Sequence, residues 1–356
     1  MRGLRTRLRD WTELLRVSAL FTVPGDALAG AAARGLRPNR GTAYAVGASL
    51  CLYEAGMALN DWADRDEDAL DRPHRPVPSG RISPRAALGA AGVLTAAGLA
   101  LAARAGRPAL AVASALTAMV WAYDLRLKHT PAAPAAMAAA RALDLLLGAT
   151  ATMSAAGATS SGQRGATTTT LPAHRTLRSA AVAGSGEQQR QGRAPGWRRP
   201  TAPAPASASA PMSAPMSAPT SASVSVAAST VALAAHTYAI TAVSRHETHG
   251  GSPATPLAAL GATTVLGALL GRTSATTGPL PVLTAASYAR TAAVPFLHAA
   301  LNPSPPLTQR AVGGGIRALI PLQAALAARS GANGTALALL GLVPLARTLA
   351  RKVSPT

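Results

Sequence analysis

The sequence predicts an all-α protein, a polytopic membrane bundle of nine to ten transmembrane helices. Of its 356 residues, 49% are hydrophobic and only 13% are charged, which is too few charges to cover the surface of a soluble protein of this length. Apolar stretches of about 20 residues, the length that crosses a bilayer as a helix, recur along the chain. Most are rich in alanine, and small side chains let helices pack closely inside a membrane.

These stretches fall into two groups, one within residues 1–151 and one within residues 223–356. The predicted spans are 14–33, 42–60, 84–103, 107–124, 131–151, 223–243, 253–271, 279–300, 311–328 and 334–350. The first span also has features of a secretory signal, because several arginines precede an apolar run. Pro24, Gly25 and Asp26 interrupt that run before it is long enough, so we favour a membrane span.

Between the two groups, residues 152–222 are rich in Ser, Thr, Ala, Pro and Gly. A segment of this composition cannot bury enough apolar surface to offset the entropy lost when it becomes ordered. The sequence therefore predicts a disordered loop inserted between two sets of membrane helices.

The formal net charge of +20 would suit a nucleic-acid-binding protein, but only 3% of the residues are aromatic and no nucleic-acid-binding motif is found. We therefore expect anionic lipid or a phosphorylated substrate as partner, and no nucleic acid. Lys and Arg are more frequent in the predicted loops on the N-terminal side of the membrane. This bias predicts a cell-membrane protein whose N-terminus and motif loops face the cytoplasm.

The segment NDWADRDEDALDRPHRPVPSGR, residues 60–81, concentrates acidic side chains in an otherwise basic chain. If the preceding helix continues through it, four aspartates share one face, and Asn60 joins them at i, i+4 from the second: Asp61, Asp64, Asp68 and Asp71. Carboxylates gathered on one face repel each other unless a cation lies among them. Oxygen ligands suit Mg²⁺, which usually binds together with a phosphate group, so we predict a magnesium site here.

Two other interpretations of this segment are possible. A calcium loop would match the D-x-D-x-D pattern at 64–68, but Ala69 and Arg75 occupy positions where such a loop needs Gly and Glu. A solvated helix end with intrahelical pairs to Arg65 and Arg72 stays open. It accounts for the charges but not for the run that follows them.

That run, RPHRPVPSGR, places three arginines, Arg72, Arg75 and Arg81, next to the carboxylates. Prolines and Gly80 favour an extended turn. Guanidinium groups bind phosphate oxygens with two parallel hydrogen bonds, so a metal and arginines together predict a diphosphate site.

The pattern NDxxDxxxD followed by DRPxRPxPSGR resembles the first aspartate-rich motif of the UbiA-type prenyltransferase superfamily. The matching residues are Asn60, Asp61, Asp64, Asp68, Asp71, Arg72, Pro73, Arg75, Pro76, Pro78, Ser79 and Gly80. A segment from Tyr123 to Lys128 after the fourth span is similar to a YxxxxK segment of the family. The insertion at 152–222 and the tenth span have no counterpart in the common nine-helix plan.

The resemblance implies a UbiA-like bundle that transfers a prenyl group from a prenyl diphosphate to an acceptor, with Mg²⁺ as cofactor. It implies catalytic roles for Asp64, Asp68 and Lys128. Substrate contacts are expected from Asn60, Arg72, Arg75, Tyr123, Lys128 and Arg245. Metal contacts are expected from Asn60, Asp61, Asp64, Asp68 and Glu247.

The chain departs from the family pattern after the sixth span. A second DxxxD-like motif is usual there, whereas this sequence has VSRHETHGG with the single acid Glu247. We expect Glu247 to complete the metal site and Arg245 to replace part of the missing metal charge. The departure favours a variant subfamily found in actinobacteria and related bacteria, with an unidentified acceptor. The alternative is a non-catalytic protein that binds a prenylated lipid or serves its export or assembly. A membrane CDP-alcohol phosphotransferase is disfavoured because its DGxxAR-type pattern is not found.

Several ionisable residues fall inside the predicted spans, where they are costly and usually pair or line a cavity. They are Asp26, Glu54, Arg141, Asp144, Arg290 and Arg317. Arg141 and Asp144 are one helical turn apart and are expected either to pair with each other or to contact substrate. Asp26, next to Pro24 and Gly25, is expected to face a cavity.

Overall fold

The computed structural model describes residues 2–166, 221–247, 251–272 and 278–353, and within these ranges the chain is a helical bundle. The helices are α1 (Arg2–Leu14), α2 (Val23–Ala33), α3 (Arg40–Ala63), α4 (Arg65–Asp71), α5 (Pro84–Ala105), α6 (Arg107–Ala122), α7 (Ala133–Ala166), α8 (Ser221–Ser244), α9 (Ala254–Gly271), α10 (Leu280–Leu301), α11 (Pro305–Arg329) and α12 (Asn333–Val353). A 3₁₀ turn, Val17–Thr22, precedes α2, and a π-helical turn, Tyr123–Leu127, follows α6. The predicted all-α fold is confirmed.

The described helices include six that are long and apolar enough to cross a membrane. Their apolar segments are Pro84–Ala105, Arg107–Leu127, Ala133–Gly157, Ser225–Ser244, Ala254–Gly271 and Pro305–Arg329. Shorter apolar helices occupy Leu20–Ala33 and Asn333–Pro344. The chain is a multi-pass membrane protein, whereas a total of nine to ten spans stays a prediction.

The first predicted span, 14–33, is divided in the structure. Helix α1 ends at Leu14, and Arg16 then adopts a left-handed backbone conformation with φ 48° and ψ 45°. Pro24 lies in the first turn of α2, where its missing N–H and fixed φ are tolerated. The division leaves Arg16 between α1 and the 3₁₀ turn that precedes α2.

Helices α2 and α7 cross at backbone contact. An added Cβ on Gly148 would overlap the backbone of Ala27, and one on Gly30 would overlap the backbone of Leu145. Glycine is the residue that permits such an approach, as in other tightly packed membrane helices. The crossing brings Asp26 of α2 to Arg141 of α7, and these two form a buried ion pair.

The predicted pairing of Arg141 with Asp144 is therefore wrong, because Asp26 reaches the guanidinium across the α2–α7 crossing. Asp144 accepts a hydrogen bond from the Ser49 hydroxyl of α3 instead. Arg290 and Arg317 lie on the exposed surface of α10 and α11 and are not internal counter-charges.

Helix α7 continues beyond 151, where the predicted loop was to begin, as far as Ala166. The reason is packing, because Thr152 is fully buried. Its hydroxyl lies 2.7 Å from that of Thr42, and Asn39 donates to its carbonyl at 3.0 Å. The prediction of disorder for the rest of the insertion falls on residues 167–220, outside the described residues.

The second half of the bundle is tied together by a buried histidine. His236 of α8 lies 3.1 Å from the Gly315 carbonyl of α11 through Nε2, and 3.1 Å from the Tyr288 hydroxyl of α10 through Nδ1. Because a carbonyl only accepts, Nε2 donates and Nδ1 accepts from the tyrosine. Both ring nitrogens are satisfied, so His236 is a structural residue.

One arginine links the polar side of helix α1 to the loop after α4, and Leu14 of α1 lies in one apolar cluster with Val77 and Ile82 of that loop. The Arg81 guanidinium donates to Asp10 at 2.7 Å, to the two oxygens of Glu13 at 2.8 and 3.0 Å, and to the His74 carbonyl at 2.6 Å. The hydrogen bond from Arg81 lowers the pKa of Glu13, and the same contact raises the pKa of Arg81.

This attachment should weaken in acid. Because the folded-state pKa of Glu13 lies below its unfolded value, its pair with Arg81 contributes fully above about pH 4.3 and is lost as pH falls through the lowered pKa. A spin label at Thr12→Cys, in a Cys51→Ala background, should become mobile over that range. In Arg81→Gln the label should already be mobile at neutral pH. A label that stays immobile in Arg81→Gln would contradict the attachment.

Candidate functional site

One cavity, of about 430 Å³, is the candidate site. It is lined by the predicted motif, by the π-helical turn and by the end of α8. The lining residues are Arg16, Asn60, Asp64, Arg72, Arg75, Tyr123, Lys128, His129, Ala133, Thr241, Ser244, Arg245 and Glu247. Eight of the ten sequence-predicted site residues lie among them, and the two others, Asp61 and Asp68, do not. The first motif and the divergent second motif therefore face the same space.

Asp64 lies where the chain bends at the cavity. It caps the junction between α3 and α4 with φ −90° and ψ 5°, so the segment is not one continuous helix. Its carboxylate accepts hydrogen bonds from the Lys128 ammonium and, at 3.1 Å, from the Asn60 amide. Asp71, expected on the same face, is exposed. The bend leaves Asp64 as the acidic side chain of the first motif that lines the cavity.

Asp61 and Asp68 are buried behind the cavity wall, at 3% and 2% exposure. Arg75 bridges them, at 2.7 Å from Asp68 and 3.5 Å from Asp61. Arg16 adds a contact to Asp61 at 3.1 Å, and Arg72 adds one to Asp68 at 3.4 Å. These carboxylates hold the arginines that face the cavity, and their direct contact with a metal stays a prediction.

The π-helical turn brings an acid to the site that sequence reasoning did not select. The Lys128 amide donates to the Tyr123 carbonyl at 3.0 Å, which is the wider spacing of a π turn. Asp124 is buried beside it, 3.4 Å from the Asn60 amide nitrogen. The feature of the sequence that could have identified Asp124 is its position at the end of an apolar span, directly after Tyr123, which was predicted to bind substrate.

Arg16 is the second residue that sequence reasoning missed. Its guanidinium donates to Asn60 at 3.4 Å and to Asp61 at 3.1 Å from a left-handed backbone conformation that costs energy for any residue with a Cβ. The structure thus holds an additional cation at the cavity. A basic residue at the boundary of the first apolar run was the signal that could have identified it.

The divergent second motif contributes one acid and one base. Glu247 is half-buried, and burial raises the pKa of its carboxyl while Arg72 opposes the increase. Arg245 is exposed and donates to the Thr130 carbonyl at 2.9 Å, which holds the end of α8 against the loop after the π turn.

Oxygen donors that suit Mg²⁺ are present at this site. The Asn60 amide nitrogen donates to Asp64 at 3.1 Å and to Asp124 at 3.4 Å, so both carboxylates lie next to Asn60, and hard oxygen ligands of this kind fit Mg²⁺ better than softer metals. Asp64, Glu67 and His129 also place ligand atoms within 4.8 Å of one another, with two of the three exposed. The donor set fits the predicted metal.

Comparisons with known proteins give similarities in sequence and in fold. Residues 18–173 match the sequence model of the UbiA prenyltransferase family. Digeranylgeranylglyceryl phosphate synthase of Methanopyrus kandleri is 36% identical over 129 residues, 35% of this chain and 46% of that protein. The enzyme of the same name from Natronomonas pharaonis is 43% identical over 83 residues, 23% of this chain and 30% of that protein. The chain thus spans less than half the length of these curated relatives.

Solved structures share the fold. A digeranylgeranylglyceryl phosphate synthase structure superposes with a TM-score of 0.55 at 14% identity, covering 92% of this chain and 99% of that one. A UbiA homolog from Archaeoglobus fulgidus, solved with GPP and Mg²⁺, gives a TM-score of 0.51 at 15% identity, covering 91% and 99%. The expected actinobacterial subfamily stays a prediction. Residues 18–173 are thus similar to the UbiA prenyltransferase family, and the described helices share the fold of the solved UbiA homologs.

Proposed function

We propose that the chain is a membrane prenyltransferase that moves a prenyl group from a prenyl diphosphate to an acceptor. One observation carries the proposal. Oxygen ligands and a set of cations line a single cavity, and an apolar chamber adjoins that cavity. This arrangement fits a charged head group attached to an apolar tail.

Bound Mg²⁺ would supply positive charge that favours the diphosphate as it departs. Asn60, Asp64 and Asp124 would hold it, together with Glu247, which lines the same cavity as Asn60 and Asp64. The UbiA homolog from Archaeoglobus fulgidus that was solved with GPP contained Mg²⁺, which supports this ligand chemistry.

The cations of the site would bind the diphosphate oxygens. Lys128 is paired with Asp64, and Arg72 and Arg75 are oriented by buried carboxylates, so all three are fixed before substrate arrives. Fixed charges of this kind stabilise the growing negative charge of the leaving group more than they stabilise the intact substrate.

The chamber would receive the apolar part of a substrate. We call the cavity that contains Asp64 and Lys128 the head-group cavity. The chamber shares Arg16, Asn60 and Tyr123 with it, so an allylic carbon bonded to diphosphate would lie at the boundary between the two. Apolar walls there would keep water from the ionised carbon. We place this end of the bundle at the cytoplasmic face, which the distribution of Lys and Arg in the loops supports.

Binding tests the proposal. The purified full chain in nanodiscs should bind inorganic pyrophosphate and geranyl diphosphate in the presence of Mg²⁺, and should bind geraniol weakly. Equal binding of geraniol and geranyl diphosphate, or binding that EDTA leaves unchanged, would contradict it. Binding of geranyl diphosphate without cleavage to free diphosphate would favour the alternative, a binding or assembly protein. The single acid of the second motif is the observation that favours this alternative.

The second motif gives a separate prediction. Glu247→Gln should raise the Mg²⁺ concentration needed for half-maximal diphosphate binding by roughly tenfold, since it removes one oxygen charge from the cavity wall. Titration of Mg²⁺ at fixed pyrophosphate measures this. The neighbouring His246→Gln is the control and should leave the titration unchanged. An unchanged titration in Glu247→Gln would remove Glu247 from the metal site.

A further inference from the structure

The apolar chamber behind the head-group cavity has a volume of about 270 Å³. Its side walls are apolar and come from α3, α6 and α7: Leu52, Gly56, Met57, Leu116, Val120, Met137 and Ala140. Its deep end is lined instead by polar side chains: Ser49, Tyr53, Arg141 and Asp144. Ser49 precedes Asn60 on α3 by three turns, so this polar floor lies about 16 Å below the cavity.

Three of the four residues of the polar floor, Ser49, Arg141 and Asp144, have protein partners. Arg141 is paired with Asp26 and donates to the Thr22 hydroxyl at 3.2 Å, and Asp144 accepts from Ser49. Because these groups already have partners, the floor does not require a polar ligand. It forms a wall at which an apolar chain must end.

The wall is also braced from behind. Gln323 of α11 donates to Asp26 and to the Thr22 carbonyl, both at 2.7 Å, and both Asp26 and Gln323 are completely buried. The Gln323 side chain packs directly on Gly25, where a Cβ would collide with it. A longer chain would have to separate a buried ion pair to pass, and breaking such a pair is strongly unfavourable.

The chamber volume limits what fits above this wall. An engineered apolar protein cavity of about 150 Å³ holds one benzene molecule, which has six carbon atoms, so a chamber of about 270 Å³ holds roughly eleven non-hydrogen atoms. That is close to the size of a geranyl group, which has two isoprene units. A geranylgeranyl group, with four, is about twice too large.

We propose that this chain selects short allylic diphosphates, of one or two isoprene units, because Ser49, Tyr53, Arg141 and Asp144 close its tail chamber. The inference rests on the proposed function and adds to it the length of the donor. It separates this chain from relatives whose name specifies geranylgeranyl groups.

The test measures affinities for dimethylallyl, geranyl and geranylgeranyl diphosphates, with Mg²⁺, in nanodiscs of one lipid composition. In the wild type, geranylgeranyl diphosphate should bind at least about tenfold more weakly than geranyl diphosphate. Equal or tighter binding of the longer donor would overturn the proposal, because its tail would then leave the chamber by another route. Absence of Mg²⁺-dependent binding for all three donors would overturn the proposed function itself.

Two sets of variants change the chamber in opposite directions. Leu116→Ala combined with Met137→Ala should enlarge it and bring the ratio of the two affinities close to one. Ala140→Phe should fill it and remove the advantage of geranyl over dimethylallyl diphosphate.

Leu319→Ala, which removes the same side-chain atoms as Leu116→Ala from the α11 core away from the chamber, is the matched control. It should leave the ratio of affinities at its wild-type value, because Leu319 lies away from the chamber. Since all variants are measured in one lipid composition, the partitioning of the donors into the bilayer affects every ratio equally. A shift in the control equal to that in the enlarged variant would also overturn the proposal.

Discussion

Asp64→Asn is expected to reduce Mg²⁺-dependent release of diphosphate from geranyl diphosphate by roughly a hundredfold to a thousandfold. The substitution keeps the shape and the contact with Asn60 but removes the charge that faces Lys128 and the proposed metal. The variant protein should still insert into membranes and unfold at a similar temperature, because Asp64 is only partly buried. Phosphate detection after pyrophosphatase treatment gives the release rate.

Asp66→Asn is the matched control for this substitution. Asp66 lies in α4, close to Asp64 in sequence, but its side chain is 85% exposed and pairs with Arg65 at the surface. Release should stay near the wild-type rate. Equal losses of the release rate in both variants would show that the rate depends on the total negative charge of this segment. That result would contradict a specific role for Asp64.

Arg75→Met is expected to lower the free energy of unfolding by about 3 kcal/mol or more, because it leaves two buried carboxylates with fewer partners. The exposed fractions of the Asp61 and Asp68 side chains are only 4% and 2%, so water cannot replace the guanidinium. A large fall in the unfolding midpoint of the detergent-solubilised protein measures the effect. Diphosphate binding should fall as well, because Arg75 faces the cavity.

A double variant separates the ion pair from other effects of the substitution. Asp68→Asn in the Arg75→Met background should recover part of the lost stability, since it removes the unpaired charge, and the difference between the single and double variants gives the coupling of the pair. If stability losses of the two single variants simply add, Arg75 and Asp68 do not form the pair described here.

The helices and the motif could be predicted from sequence, because both depend on local patterns. Apolar runs between Pro, Gly and Arg positions predicted the bounds of seven of the twelve described helices to within about three residues, and the spacing of Asn60 and Asp64 predicted their proximity. The extension of α7 to Ala166 could not be predicted, because it depends on packing of Thr152 against Thr42 of a distant helix.

The partners of the buried charges were not predictable, because they come from far along the chain. Asp61 is paired with Arg16, 45 residues away, and Asp26 with Arg141, 115 residues away. Sequence spacing suggested metal contacts for Asp61 and a local partner for Arg141. Asp124 was missed because a π turn changes which side chains face inward.

Release of diphosphate tests the central claim most directly. The purified full chain in nanodiscs is offered geranyl diphosphate or its saturated analogue, with and without Mg²⁺, together with an extract of the source cells that supplies acceptor. The account predicts Mg²⁺-dependent release from the allylic donor and none from the saturated one, because only the allylic bond can ionise. Equal release from both donors, release without Mg²⁺, or no release from either in the presence of the extract would contradict it.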